Sequence, residues 1–257
     1  MVTAPELLTE RDGSVCWLTL NRPAKRNALN QPLRAALDQA LAGLSGDDEI
    51  RVVVLTGAGP AFCAGADLAE APPVGRHPMS VPGPPAAQSL AAFGKPLIAA
   101  INGPAAGGGL ELALACDLRV AARGATFALP EVRLGSMPGS GGTQRLLRAV
   151  GPAVAARMLL SGEPLSAEDA LGWGLISDLT DPEALAGFTA DLARRIAAHA
   201  PLSLRAVKQC LLAGREAPLA AGLELERALW ALLATTADRQ EGRAAFRERR
   251  APRFTGN

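Results

Sequence analysis

Short apolar runs alternate with helical stripes along the first half of the chain. The runs VCWLTL (15–20), RVVVLT (51–56) and PLIAAI (96–101) predict buried strands, and shorter strands are predicted at 118–122 and 126–128. Between the first two runs, apolar residues recur at positions 33, 36, 37, 40, 41 and 44, the spacing of one helix face. Strands that alternate with helices in this way are typical of an α/β core.

Helical patterns dominate the second half. Helices are predicted at 141–150 and 152–160, Ser166 is placed to cap a helix, and Asp181–Pro182 is expected to open another in the same way. A further helix begins at Pro201, and the segment 218–249 has the pattern of one or two long, charged amphipathic helices. We therefore expect a core over residues 1–200 and a helical region over 201–257. The Pro- and Gly-rich segment 71–85 is predicted to lack regular structure.

Composition narrows the classes of protein that the chain can belong to. With 257 residues, 49% of them hydrophobic, it can bury a sizeable core. The net charge of +1 argues against a dedicated nucleic-acid binder. No apolar run reaches the roughly 18–20 residues of a membrane span. The N-terminal sequence MVTAPELLTERDG has acidic residues early and no apolar core of a secretory signal, so we expect a cytoplasmic protein.

The cysteines and histidines do not form a metal-binding pattern. Cysteines stand far apart at positions 16, 63, 116 and 210, with no CxxC pair, and the two histidines are His77 and His199. This spacing predicts no metal site. We interpret the cysteines as reduced thiols that pack as small hydrophobic side chains.

Two glutamates stand in unusual surroundings. Glu111 is the only charged residue of AAGGGLELALAC (105–116), a glycine turn that leads into a helix apolar on nearly every side. Burying an unpaired carboxylate costs several kcal/mol or raises its pKa, which suits a general acid or base. Glu131 follows Pro130 in FALPEVRLG. The alternatives are an ion pair of Glu111 with an arginine such as Arg145, and a plain surface acid at position 131.

Two glycine loops provide backbone N–H groups that could bind an oxygen atom. FCAGADL (62–68) follows a predicted strand, and the glycines 107–109 precede a helix N-terminus. Two such donors aimed at one carbonyl make an oxyanion hole, worth about 3–4 kcal/mol per donor in the transition state. The other glycine stretches fit neither a dinucleotide fingerprint, nor a phosphate loop, nor a serine-hydrolase elbow. Tight turns and close helix packing are the alternative reading of these glycines.

In this order and spacing, several stretches resemble the enoyl-CoA hydratases and isomerases of the crotonase superfamily. The resemblance covers nearly the whole chain, and its stretches are NRPAKRNAL (21–29), VVVLTGAGPAFCAGADL (52–68), KPLIAAINGPAAGGGLELALACDLRVA (95–121), FALPEVRLGSMPGSGGTQRLLRAVG (127–151), AxGWGLISD (170–178) and EGRAAFRERRAPRF (241–254).

The resemblance implies a fold and a reaction. The fold is a spiral of ββα units with a C-terminal helical region that forms homotrimers, often paired into hexamers. The substrate is an acyl-CoA thioester, with its carbonyl held by the N–H groups of Ala66 and Gly108. Glu111 and Glu131 match the catalytic pair that adds water across the C2=C3 bond of a trans-2-enoyl-CoA. No metal or separate cofactor is implied, because coenzyme A is part of the substrate.

The resemblance also implies where coenzyme A is bound. Ala66, Asp67, Leu68 and Ala69 would line the CoA arm, with Ala28 near the adenine. Lysines that some hydratases carry are replaced here by Ala24 and Ala69, so phosphate contacts are expected to pass to Lys25, Arg26 or Arg249. Phe246 and Arg249 match positions at which a neighbouring subunit touches the nucleotide.

Two other functions fit the same sequence. An enoyl-CoA isomerase can shuttle a proton with a single carboxylate at the position of Glu131. A non-catalytic acyl-CoA-binding protein could use the same fold, but it would have no need of both glutamates. The presence of Glu111 and Glu131 together favours hydration. The chain contains no tyrosine, which excludes a variant with a tyrosine acid, and segment 71–85 is expected to shape the acyl pocket.

Overall fold

A computed structural model of the protein describes residues 4–70 and 87–257. The predicted irregular segment 71–85, including His77, lies outside these residues. The strands of the described part are β1 (Leu7–Asp12), β2 (Val15–Leu20), β3 (Val52–Gly57), β4 (Leu97–Ile101), β5 (Ala105–Ala106), β6 (Leu118–Ala122), β7 (Thr126–Ala128), β8 (Leu165–Ser166) and β9 (Asp178–Thr180).

The strands form two sheets. The larger has six strands in the order β1-β2-β3-β4-β6-β9, and the smaller has three in the order β5-β7-β8. In the larger sheet β1 pairs antiparallel with β2, and all other neighbours are parallel. The predicted strands at 15–20, 51–56, 96–101, 118–122 and 126–128 are confirmed to within a residue.

The helices are α1 (Gln31–Ser45), α2 (Gln88–Ala92), α3 (Gly108–Ala115), α4 (Gly142–Ser161), α5 (Ala167–Gly172), α6 (Leu185–Ala197), α7 (Pro201–Gly214), α8 (Leu219–Leu233) and α9 (Ala237–Glu248). The predicted break between 150 and 152 is confirmed, because Gly151 has a φ of 77° and interrupts α4 just before Pro152. Ser166 caps α5 as predicted, since its Oγ accepts the Asp169 N–H at 3.1 Å.

The expected cap at Asp181 is wrong. Its side chain makes no capping hydrogen bond, and a short 3₁₀ turn over Pro182–Ala184 precedes α6. The carboxylate instead accepts a hydrogen bond from Arg123 Nε at 3.1 Å. Arg123, an exposed residue just after β6, thus binds the Asp181 side chain that was predicted to cap the helix.

Each face of the larger sheet packs against different helices, because successive side chains of a strand point to opposite sides. On β3, Val52 and Val54 face a layer formed with α6, whereas Val53 and Leu55 face the main core with α1, α3 and α4. Both faces of the strand are therefore buried, as the continuous apolar run predicted.

The helical region after residue 200 is tied to the core by a buried lysine. Lys208 on α7 donates to Lys95 O at 2.8 Å and pairs with Asp117 Oδ2 at 2.8 Å. The chain's end also returns to the core, since Arg51 Nη2 donates to Phe254 O at 2.6 Å. Helix α8 differs from α7 and α9 in having no buried residue. The division at residue 200 coincides with the start of α7, but its meaning as a domain boundary stays a prediction.

The cysteines behave as small apolar residues. Cys16, Cys63 and Cys116 are buried and none of the four forms a disulfide. Burial raises the pKa of the Cys63 and Cys116 thiols to about 12, which makes both unreactive. Across the described residues there is no cluster of His, Cys, Asp or Glu that could hold a metal ion. In the same residues no helix combines the length and the apolar character needed to cross a bilayer.

Candidate active site

The loop after β3 is held in place by the buried side chain of Asn27. Asn27 Nδ2 donates to Ala61 O at 2.8 Å and to Phe62 O at 3.2 Å, and its Oδ1 accepts the Arg22 N–H at 2.9 Å. Asn27 itself has a φ of 57°, a left-handed conformation that asparagine tolerates better than most residues. The turn NRPAKRNAL thus fixes the path of the loop FCAGADL.

Hydrogen bonds between this turn and the loop FCAGADL continue as far as Asp67. The Leu29 N–H donates to Gly65 O at 2.7 Å, and the Asp67 N–H donates to Leu29 O at 3.1 Å. Arg22 Nη1 lies 2.9 Å from Asp67 Oδ2, and this arginine holds the pKa of Asp67 below its usual range. The Asp67 side chain is therefore engaged with Arg22, which leaves the backbone of this residue as the part that can face a ligand.

The second glycine loop lies directly against the first. The Ala106 N–H donates to Cys63 O at 2.9 Å. Gly65 has a φ of 92°, and a Cβ there would lie 2.8 Å from Ala106 O and 3.1 Å from Gly108 N. Only a glycine permits this approach.

The contact between the loops places the two predicted oxyanion donors side by side. A Cβ on Gly108 would lie 3.7 Å from Ala66 N, so the two amide groups border one small space. Ala66 is exposed and Gly108 is half-buried. Neither amide N–H has an acceptor within residues 4–70 and 87–257. Both groups are thus available to donate to an oxygen of a bound molecule.

Glu111 lies on α3, one turn beyond Gly107 and Gly108, and its side chain is buried. It is 3% exposed, and its Oε1 accepts the Ser140 N–H at 2.6 Å and the Gly142 N–H at 2.8 Å. The alternative ion pair with Arg145 is not formed. Arg145 Nη1 instead donates to Ser140 O at 2.8 Å and so supports the turn that carries the two donors. The second carboxylate oxygen of Glu111 takes no part in this pair of hydrogen bonds.

Glu131 approaches the same place from another element. It begins a 3₁₀ turn, Glu131–Leu134, directly after Pro130. Its Oε1 lies against the second glycine loop, because a Cβ on Gly107 would be 3.1 Å from it. Its Oε2 is buried and has no hydrogen-bond partner among the described residues. Glu131 is therefore not a plain surface acid.

Burial raises the pKa of Glu131 above its usual range, and the charge of Glu111 raises it further. A carboxyl group whose pKa is raised in this way is suited to donate a proton. The arrangement therefore offers a proton donor and an acceptor next to two free backbone N–H groups.

The other predicted ligand-binding residues form two groups. Lys25, Arg26 and Ala28 lie in the turn beside the first loop, and the Ala64 N–H donates to Arg26 O at 2.9 Å. Leu68 and Ala69 are exposed at the end of that loop. These five residues border the same surface as Ala66.

Phe246 and Arg249 belong to the second group, at the end of α9. Phe246 is 87% exposed, and in the described part of the chain the Arg249 guanidinium has no hydrogen-bond partner. The single chain does not connect either side chain to the two glycine loops.

Sequence reasoning missed the residues that hold the site together. Asn27 bonds to the backbone of the first loop and Arg22 to its Asp67 side chain. Arg145 supports the turn at Ser140, and Ser140 and Gly142 supply the donors to Glu111. All five lie within stretches that carried the family resemblance, NRPAKRNAL and GSMPGSGGTQR. That resemblance was the available signal, because spacing alone does not show which turns meet.

Comparison with known proteins identifies the family. The sequence profile described as "Enoyl-CoA hydratase/isomerase" matches residues 10–257. The 2,3-dehydroadipyl-CoA hydratase of Escherichia coli (strain K12) is 48% identical over 98% of this chain and 99% of its own length. The 1,2-epoxyphenylacetyl-CoA isomerase of the same organism is 41% identical over 97% of this chain and 98% of its own.

A solved structure shares the fold. The enoyl-CoA hydratase of Bacillus anthracis superposes with a TM-score of 0.91 at 34% identity, over 98% of this chain and 100% of that one. This likeness confirms the predicted crotonase fold.

Proposed function

We propose, from the premise that this chain belongs to the enoyl-CoA hydratase/isomerase family, that it hydrates a trans-2-enoyl-CoA to the 3-hydroxyacyl-CoA. One observation carries the proposal. The carboxylates of Glu111 and Glu131 both border the N-terminal turn of α3, where the N–H groups of Gly108 and Ala66 lack acceptors in the described residues. Hydration needs these parts together: an acceptor for negative charge, a base and an acid.

The two amides would bind the thioester carbonyl. Hydrogen bonds to this oxygen withdraw electron density from the conjugated C2=C3 bond and make C3 electrophilic. As water adds, negative charge moves to the carbonyl oxygen, and the N–H groups of Ala66 and Gly108 stabilise it. Gly108 is the first residue of α3, so the positive end of the helix dipole adds to this effect.

The two glutamates would divide the proton transfers. Glu111 takes a proton from water as the water oxygen bonds to C3, and Glu131 gives a proton to C2. The two N–H donors on Oε1 of Glu111 hold its carboxylate in place for this transfer. Burial favours the protonated form of Glu131. The reaction as written requires neither a metal nor a redox cofactor.

Coenzyme A would lie along the surface formed by Ala28, Lys25, Arg26 and the residues 66–69. Lys25 and Arg26 are exposed there and can meet its phosphates. Phe246 and Arg249 would act on the nucleotide of a neighbouring subunit, as the family resemblance implies.

Helix α8 supports a homotrimer, alone or paired into a hexamer. Its sequence LAAGLELERALWALL is strongly apolar, yet Leu219 is 78% and Trp230 61% exposed in the single chain. An apolar helix without a buried residue is typical of a subunit interface.

The deciding experiment is a hydration assay with crotonyl-CoA, followed as loss of the absorbance of the conjugated thioester. The panel includes 2,3-dehydroadipyl-CoA, the substrate in the name of the E. coli relative. Full activity of the Glu111→Gln, Glu131→Gln double variant would refute the mechanism. Tight acyl-CoA binding without turnover by the unaltered protein would favour a binding protein instead.

A second candidate is an isomerase that moves the double bond of an enoyl-CoA. The family profile, described as an enoyl-CoA hydratase/isomerase, is the observation that favours it; the isomerase relative is named for an epoxide substrate. Product analysis separates the two: a hydratase incorporates one ¹⁸O atom from labelled water into its product, and an isomerase incorporates none.

A further inference from the structure

A cavity near the candidate active site is lined by four arginines, one of which is Arg145. It has a volume of about 240 Å³ and lies between α3, α4 and the end of α7. Its charged lining residues are Arg119, Arg145, Arg148, Arg215 and Glu216. Four guanidinium groups thus share one space with a single carboxylate.

Within the described residues none of these four arginines forms an ion pair, although many other arginines of the chain do. The nearby carboxylate of Asp117 pairs with Lys208 instead. Like charges held close together repel each other, so an anion bound among the four guanidinium groups would stabilise their arrangement. Burial lowers the pKa of Arg119 from its ordinary value, and the charge of Arg215 lowers it further.

Some of the guanidinium N–H groups are already used. Arg119 donates to Leu175 O at 2.6 Å and to Cys116 O at 2.8 Å, which fixes it at the end of α3. Arg148 donates to Gln144 O at 3.0 Å. These bonds go to neutral carbonyls, so they orient the arginines without cancelling their charge. The Arg215 side chain makes no hydrogen bond to a described residue.

We infer that this cavity, the arginine cavity, binds a small phosphate-type oxyanion. Guanidinium groups bind phosphate oxygens in pairs, and several around one space select a dianion over chloride. The volume is below the roughly 300–1,000 Å³ of a site for a drug-sized ligand, so the occupant is a free phosphate or a small phosphomonoester. A CoA nucleotide is too large for it.

The arginine cavity is linked to the candidate active site through Arg145. Its Nη1 holds Ser140 O, and the Ser140 N–H donates to Glu111. An anion bound in the cavity would keep the Arg145 guanidinium in place through its remaining N–H groups. The binding site and the proposed base are thus separated by one turn of backbone.

Calorimetric titration tests the inference on the full-length protein in its native assembly. The probes are inorganic phosphate and glycerol 3-phosphate, each at constant ionic strength set with sodium chloride. We expect saturable binding of at least one of them, weakened at least tenfold in an Arg148→Gln, Arg215→Gln double variant. The matched control is Arg157→Gln on the same helix, a 79% exposed arginine outside the cavity, which should bind as the unaltered protein does.

Two results would overturn the inference. One is the absence of saturable binding of both probes, as would occur if an acidic side chain of another subunit filled the cavity. The other is equal binding by the double variant and the control, which would place the anion elsewhere. The titration needs no enoyl-CoA, so its outcome does not depend on whether the proposed hydratase activity is found.

Discussion

The Gly142 amide donates a hydrogen bond of 2.8 Å to the Glu111 carboxylate, and so the start of α4 fixes the proposed base on α3. The contact leaves no room for a side chain. A Cβ at position 142 would lie 3.0 Å from Glu111 Oε1 and 2.9 Å from Pro138 Cβ.

A Gly142→Ala substitution should therefore displace Glu111. We expect kcat for hydration to fall by about 10²-fold, the order of loss from a misplacement of about 1 Å. Steady-state kinetics with crotonyl-CoA measure this. Gly139→Ala is the control, because a Cβ at position 139 meets nothing within 4 Å and the backbone there is not left-handed. Similar losses in both variants would contradict the role of the contact.

Glu131→Gln should separate stability from activity. Because the folded state raises the pKa of Glu131, it binds the proton more tightly than the unfolded chain does. Stability is then lost as the pH rises from the ordinary carboxyl pKa through the raised one. The neutral amide escapes this loss, so the variant should gain Tm relative to the unaltered protein at pH 8, with a smaller difference near pH 4.

The same variant should lose hydration activity by about 10²–10⁴-fold, the usual contribution of a general acid. Thermal unfolding at both pH values and crotonyl-CoA turnover provide the two measurements. The contrary result is a variant with a lower Tm than the unaltered protein at pH 8 and no such difference at pH 4. It would show that the Glu131 carboxylate stabilises the fold as an anion.

Arg145 is expected to be a positioning residue for Glu111. An Arg145→Met variant loses the hydrogen bond to Ser140 O, and the turn that holds Glu111 is then free to shift. We expect kcat to fall about tenfold or more, as for one lost hydrogen bond of about 1.5 kcal/mol to a charged group, with little change in KM. Arg145→Lys should restore part of the lost kcat.

The split between kcat and KM distinguishes positioning from a general loss of stability. A displaced Glu111 slows the chemical step in folded enzyme, so kcat of Arg145→Met should fall at temperatures well below its Tm while KM stays near that of the unaltered protein. Arg157→Met, an exposed substitution on the same helix, should leave both constants unchanged. A lowered Tm with an unchanged kcat in Arg145→Met would indicate a merely structural role.

Asn27→Ala should destabilise the fold by about 1–3 kcal/mol per unpaired buried group, because several carbonyls lose their donor. Alanine also tolerates the left-handed backbone at this position less well. Urea unfolding measures the change. Asn21→Ala removes one exposed hydrogen bond, to Pro5 O, and should cost much less. Equal costs for the two variants would show that Asn27 does not organise the loop.

A Trp230→Glu substitution on α8 should disrupt the proposed assembly. The side chain is 61% exposed in the single chain, and a charge there would be buried in an oligomer. Light scattering coupled to size exclusion should show smaller particles than for the unaltered protein. Glu226→Gln, on the same helix and already polar, is the control. Monomers in the unaltered protein would refute the trimer proposal.

The strands and helices with strong periodicity were predictable from the sequence. The buried runs that form β2, β3 and β4 and the stripe of α1 are confirmed, since burial imposes the pattern that the sequence shows. Strand β1 was missed because five of its six residues, in the sequence LLTERD, are exposed at a sheet edge and carry no alternation. The two-residue strands β5 and β8 are too short to leave any pattern.

The candidate catalytic residues were predictable from the sequence, but the hydrogen bonds that hold them were not. Glu111 was recognisable because a charge inside an apolar helix is rare. What holds it could not be seen, because backbone N–H groups are common to every residue and only the fold decides that those of Ser140 and Gly142 meet it. The charged partner considered as an alternative, Arg145, bonds to the supporting carbonyl of Ser140 instead.

Because α8 has no buried residue in the single chain, an unassembled chain should be sensitive to proteases. A helix that packs mainly against α7 and has no buried residue opens and closes easily, so its amide hydrogens should exchange with solvent faster than those of α7. Binding of another subunit would stabilise the folded form of α8 by mass action. The lifetime of a newly made chain against proteases would then rise with its own concentration.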